Sequence, residues 1–227
     1  MVGRAAIKVY GSDQYFFFVG LNYIRINWAP GERDTIVHGP APIISDWKSL
    51  SDAGFAKVDA ILPIPDCVYE AYVFSGTQFC RIRYLVSGGD DELLAFPASI
   101  TTHWPSLTRA GFDHVDTAII VPGTTNQAYL FSGTRFCRVS FHAESDQPGQ
   151  LLQGPDEIRD RWGSLGFQTV DMVLPSPYTS LCTFTHAYVL SGALVAKINL
   201  VPGGDVDVIE GPANEMQVWP SLCSVFY

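Results

Sequence analysis

Residues 128–140 read Ala-Tyr-Leu-Phe-Ser-Gly-Thr-Arg-Phe-Cys-Arg-Val-Ser, and the reading of this stretch decides the fold. An apolar strand runs into a turn at Ser132-Gly133-Thr134. A second strand then alternates Phe136, Arg138 and Ser140 with Cys137, Val139 and Phe141, the pattern of a β-hairpin. The same words stand at 71–84, a looser version at 187–200 and a worn one at 14–28. Three landmarks set the period: Trp47, Trp104, Trp162 and Trp219; the turn glycines Gly20, Gly76, Gly133 and Gly192; and the Val-Asp pairs ending at Asp59, Asp116 and Asp171. All recur at intervals of about 57 residues. Arg4 stands in the slot where a first aspartate belongs. The 227 residues therefore hold four units, with blades predicted at 1–55, 56–112, 113–167 and 168–227 of a single domain, 1–227.

Within a unit the order is constant. A short strand apolar on both faces leads, as in Val58-Asp59-Ala60-Ile61-Leu62-Pro63, and suits full burial. The hairpin follows. Next comes a polar loop such as Ser87-Gly88-Gly89-Asp90-Asp91 or Pro202-Gly203-Gly204-Asp205, then a brief strand ending at Pro, as in Leu151-Leu152-Gln153-Gly154-Pro155. One or two helical turns carrying the Trp close the unit. Four antiparallel strands plus a short helix, four times over, predict an all-β four-bladed β-propeller. A lone blade has two apolar faces it cannot bury, and stacking blades round an axis buries both. The leading strand is expected to line the axis and the tryptophans to pack at the seams between blades.

Composition narrows the function. A net charge of −9 and a pI near 4.8 argue against a nucleic-acid backbone and favour cationic partners. No stretch approaches the ~18 apolar residues of a membrane helix, and the apolar run 15–19 is too short for a signal-peptide core. The five cysteines show no close pairing, and Cys80 and Cys137 occupy one slot in two repeats. They read as buried free thiols, which together with the missing leader and sequon points to the cytosol.

No hydrolase elbow, zinc-protease motif, phosphate loop or Cys-x-x-Cys is present, so the chain reads as a non-enzyme. His38, His103, His114, His142 and His186 share no metal-ligand spacing; His114, at the mouth of the expected axis, and then His186 are the candidate haem ligands. The axial strands carry the stronger signal. Copies of one strand round an axis bring main-chain carbonyls to a common level, and an oxygen ring suits Ca²⁺ or Na⁺, while an N–H ring suits an anion such as Cl⁻. Arg4, Asp59, Asp116 and Asp171 are the first level and Ala6, Ile61, Ala118 and Val173 the second. The plainer role of each aspartate is to cap N–H groups in its own turn, which is compatible with a carbonyl facing the axis. Arg4 is expected to turn outward to a surface carboxylate, because an unpaired charge in a narrow channel is costly.

The unit Ala71-Tyr72-Val73-Phe74-Ser75-Gly76, Phe79, Arg81 and His103-Trp104-Pro105-Ser106-Leu107 resembles the hemopexin repeat, and the resemblance covers essentially the whole chain. A single ring of such repeats is most similar to the albumin-2 group of plant seeds, as are 23–31 and Trp219-Pro220-Ser221-Leu222. That resemblance implies ions in the axial channel, cytosolic storage in seeds, binding of haem or the polyamine spermine, and homodimers. Three departures stand out: Arg4 itself, Ala193-Leu194-Val195-Ala196-Lys197 where the repeat has an aromatic and an Arg, and Cys223 with no cysteine near residue 1 to pair with. Ring closure is therefore expected to rest on packing. The function expected is ion and small-ligand binding, with a protein-interaction module using the propeller face as the alternative.

Overall fold

The structure is a computed structural model that describes residues 4–65, 67, 69–85, 91–142, 149–176, 184–201 and 206–226. The polar loops expected at 87–90 and 202–205 lie outside the described residues, as does Cys182. Among the described residues, sixteen strands form four antiparallel four-stranded sheets, each in sequence order. Blade 1 holds β1 (Arg4–Lys8), β2 (Gln14–Val19), β3 (Asn22–Asn27) and β4 (Thr35–Pro42). Blade 2 holds β5 (Ala60–Pro63), β6 (Glu70–Ser75), β7 (Gln78–Arg83) and β8 (Glu92–Ser99). Blade 3 holds β9 (Thr117–Ile120), β10 (Gln127–Ser132), β11 (Arg135–Ser140) and β12 (Leu151–Glu157). Blade 4 holds β13 (Met172–Pro175), β14 (His186–Ser191), β15 (Leu194–Leu200) and β16 (Val206–Asn214). The leading strands close a cycle: β1 touches β5 and β13, and β9 touches the same two. The chain is a four-bladed propeller with β1, β5, β9 and β13 innermost.

Hairpin alternation builds the seams. In blade 2, Tyr72, Phe74 and Phe79 share one face with Trp104, while Ala71, Val73, Cys80 and Ile82 share the other. The aromatic face of each blade packs on the small aliphatic face of the next. Phe16, Phe18, Tyr23 and Trp47 meet Ala71, Val73, Cys80 and Ile82; the face of Trp104 meets Ala128, Leu130, Cys137 and Val139. Every Trp named above thus lies in a seam, seated on its own blade's hairpin.

The closing seam inverts this rule. Blade 4 has Leu190 and Val195 where blade 2 has Phe74 and Phe79, and blade 1 answers with Tyr15 and Phe17 where blade 2 has Ala71 and Val73. Bulk removed from one face is restored on the other, so the interior stays filled. Trp28 adds a further ring, 5.3 Å from Trp219 and 5.1 Å from Tyr188. Phe17→Val is expected to destabilise the protein by roughly 2 kcal/mol, and Leu190→Phe in that background to recover about 1 kcal/mol of it. Urea melts of the two single variants and the double variant check this; strict additivity would contradict the seam assignment.

Outer strands carry a repeated irregularity. Gly39, Gly154 and Gly211 have φ of 92°, 85° and 94°, and a Cβ there would lie 2.7 or 2.8 Å from a carbonyl of the facing strand. Only glycine fits that bulge. Blade 2 has Phe96 in this slot, and its side chain projects into solvent at 80% exposure.

Cys67, Cys80, Cys137 and Cys223 are free thiols. Burial pushes the Cys80 and Cys137 thiols up to about 12, so both behave as small hydrophobes.

Candidate functional site

The innermost strands each pair on one edge only. Their ladders fix which main-chain groups face the other edge. Val9 N donates to Gln14 O, Ile64 N to Glu70 O, Val121 N to Gln127 O and Ser176 N to His186 O. Antiparallel ladders alternate, so the groups of Ala6, Ile61, Ala118 and Val173 turn to the unpaired side. The Val173 N–H on that side donates to Thr117 Oγ1 of the adjacent blade at 3.1 Å. Arg4, two residues before Ala6, keeps this orientation, whereas the N–H groups of Asp59, Asp116 and Asp171 turn back to their own hairpins and donate to Phe74 O, Phe131 O and Leu190 O at 2.9, 2.8 and 2.8 Å.

The recurring aspartates hold their own hairpins. Asp59 Oδ2 accepts from Gly76 N at 2.6 Å, Asp116 Oδ2 from Gly133 N at 2.7 Å, and Asp171 Oδ2 from Gly192 N at 2.7 Å. Strand assignment begins one residue after each aspartate, shorter than the sequence pattern predicts, because the side chain reaches across to the turn. Among the described residues no cluster of three His, Cys, Asp or Glu side chains could hold a metal. The groups that the innermost strands turn to their unpaired edges are main-chain ones, those of Ala6, Ile61, Ala118 and Val173.

Arg4 departs from its three counterparts and crosses the closing seam. Its Nη1–H donates to Gly192 O at 2.6 Å and to Glu215 Oε2 at 2.9 Å. The partner is a buried carboxylate, not the surface carboxylate expected. Glu215 itself breaks the repeat. Its N–H accepts the role played by Ile43, Ile100 and Ile158, each bonded to the preceding hairpin turn (Ile43 N to Leu21 O, Ile100 N to Thr77 O, Ile158 N to Thr134 O, Glu215 N to Ala193 O). All three isoleucines are fully buried. Blade 1 has thus exchanged an Asp for Arg, and blade 4 an Ile for Glu, at two slots that face each other. Burial pushes the Glu215 carboxyl up against the opposing pull of Arg4.

A second clamp locks the rim. Asp34 is fully buried; its carboxylate accepts from Ser221 N at 3.0 Å and Leu222 N at 2.9 Å, and its carbonyl accepts from Ser221 Oγ at 2.8 Å. These N–H groups open the C-terminal helix, Pro220–Phe226. Asp91 does the same for the helix of blade 1, Lys48–Asp52, through Lys48 N and Ser49 N. The outer loop of blade 2 thus caps the helix of blade 1, and that of blade 1 caps the helix of blade 4, where Asp34 joins the two ends of the ring.

His114 sits at the turn end of blade 3. Its Nε2 lies 3.1 Å from Ser132 Oγ and its Nδ1 2.6 Å from Asp113 Oδ1. The order matches a Ser-His-Asp triad, but the N–H after the serine, that of Gly133, is committed to Asp116 and does not face a reacting oxygen. The arrangement supports the turn. His186 begins β14, at the strand end away from its turn, roughly 17 Å along the strand from the level of Ser191, the counterpart of Ser132. The structure does not bring His114 and His186 together.

Four such blades define a four-bladed propeller of the hemopexin fold. No protein-family model matches the chain. Over nearly its whole length it is similar to Albumin-2 of Lathyrus sativus, 23% identical over 228 residues, spanning 96% of this chain and 95% of that one. The hemopexin fold protein CP4 from cow pea superposes with a TM-score of 0.84 at 27% identity, covering 98% of this chain and 97% of that one. A plant lectin with two metal binding sites from Cicer arietinum gives 0.84 at 24% identity, with 97% and 96% covered.

Proposed function

We propose that the chain is a non-catalytic binding protein whose axis holds a cation, Ca²⁺ first and Na⁺ as the other candidate, with room for an anion such as Cl⁻ where N–H groups converge. The observation that carries this reading is the repeated turn clamp. It draws the carboxylates of Asp59, Asp116 and Asp171 onto Gly76, Gly133 and Gly192 and leaves main-chain oxygens as the donors at the axis. Oxygen-only donors suit a hard cation, and nearby aspartate charge favours one at longer range. The two metal sites of the Cicer arietinum lectin support the same reading.

The proposal extends to the cytosolic seed-storage role, the homodimer and the small ligand that the resemblance implies, haem or spermine. The net charge of −9 favours the polycation of these two. A haem held by both His114 and His186 does not fit, because the two stand at opposite strand ends.

Calcium tests the axial reading. A ligand that binds only the folded state at a hundred times its Kd stabilises it by about 2.7 kcal/mol. In a chain of this size that raises the melting temperature by roughly 5–10 °C over the chelator-treated protein. A melting temperature blind to both Ca²⁺ and chelator would overturn it.

A further inference from the structure

The four innermost strands differ at one slot. Just ahead of Ala6, Ile61, Ala118 and Val173, whose main-chain groups turn to the axis, stand Ala5, Ala60, Thr117 and Met172. Each of these four is at most 3% exposed. Ala5 packs in the cluster of Ile61, Ala60 in that of Ala118 and Met172 in that of Ala6, so the slot reaches from each blade toward the inner strand of the next. Thr117 alone of the four carries a side-chain oxygen there. That oxygen is in use: the Val173 N–H of blade 4 donates to Thr117 Oγ1 at 3.1 Å, inside the protein. Among the described residues no side-chain oxygen accepts from the N–H of Ala6, Ile61 or Ala118.

Converging N–H groups are the feature that would hold an anion on the axis. An N–H aimed at one acceptor is withdrawn from a second, so blade 4 drops out of the set and three donors remain. The carbonyls keep their full number, because the Thr117 hydroxyl bonds no main-chain carbonyl among the described residues. We propose that Thr117 sets the ion selectivity of the axis, weakening its anion level by one donor and leaving its cation level intact. This rests on the axial reading given above and assigns the residue that tilts the axis toward cations. The asymmetry belongs to one copy of the repeat, since Ala5, Ala60 and Met172 have no oxygen to offer.

The test compares the full chain with Thr117→Val, which keeps the branched shape and removes the oxygen, and with Thr117→Ser, which keeps the oxygen. All three are melted in chelator at equal sodium, as chloride or as gluconate. In gluconate the valine variant is expected to melt below wild type, because a buried donor is left without its acceptor. Chloride is expected to bind that variant at least about tenfold more tightly than wild type, the effect of one hydrogen bond to a charged group, and to recover its melting temperature. Thr117→Ser should behave as wild type. The ¹⁵N-labelled wild type supplies a second readout: its Val173 amide signal should stay in place as bromide is raised. A Val173 signal that moves saturably would overturn the proposal even if the valine variant does not fold. Equal chloride responses in all three proteins would overturn it too, as would weaker binding in Thr117→Val, which would make the hydroxyl a donor to the anion. Melting temperatures blind to Ca²⁺ would contradict the axial cation and leave the role of Thr117 at the anion level standing.

Discussion

Arg4→Ala is expected to lower the stability of the folded protein by roughly 3–5 kcal/mol at pH 7, the effect of leaving one member of a buried ion pair without its partner. The side chain of Glu215 is 6% exposed, and that of Arg4 is 15% exposed. Without the guanidinium the carboxylate must stay charged and desolvated or take up a proton. Its carboxyl is already raised by burial with Arg4 in place, and the variant raises it further. The sign follows from linkage. Between the unfolded and folded pKa the native state binds more protons than the unfolded one, so stability falls as pH rises through that window. The variant's deficit should therefore shrink as pH is lowered from 7 toward about 5. The double variant Arg4→Asp, Glu215→Ile returns both slots to the repeat pattern and is expected to recover most of the loss. Chemical denaturation at several pH values checks all three outcomes. A pH-independent deficit, or a double variant worse than the single, would show that the two slots are not coupled.

Asp34→Ala is the second large effect. It removes a fully buried carboxylate that accepts the first free N–H groups of the C-terminal helix. Leaving the buried Leu222 N–H without an acceptor costs about 1–3 kcal/mol, and the part-buried Ser221 N–H adds to this. The melting temperature is expected to fall by roughly 5–15 °C in a domain of this size. Backbone hydrogen exchange should rise first at Ser221 and Leu222, since this clamp joins the two ends of the ring. Asp91→Ala removes the same contact from the seam of blades 1 and 2, so protection should be lost there at Lys48 and Ser49. Unchanged protection at 221 and 222 in Asp34→Ala would contradict closure by capping.

The fold was legible because each hairpin repeats one alternation. Tyr72 and Phe74 against Ala71 and Val73 already name the two faces of a blade, and the spacing of the tryptophans counts the blades. The turn-capping role of Asp59, Asp116 and Asp171 was legible for the same reason: a short acidic side chain recurs a fixed distance before a turn glycine. What escaped is concentrated at the closing seam. Arg4 is visible as a departure, but nothing near it in sequence points to the slot of Ile43, Ile100 and Ile158, where Glu215 stands. That substitution is detectable by aligning the four units and asking which buried apolar slot has become charged. Asp34 escaped because its partners lie 187 and 188 residues away.

Anomalous diffraction from a crystal grown in calcium chloride tests the axial reading most directly. The account predicts a peak on the propeller axis at the level of Arg4, Asp59, Asp116 and Asp171, ringed by their main-chain oxygens, with the Arg4 guanidinium on Glu215. An axis without anomalous density, or a peak held by carboxylates elsewhere on the surface, would contradict it.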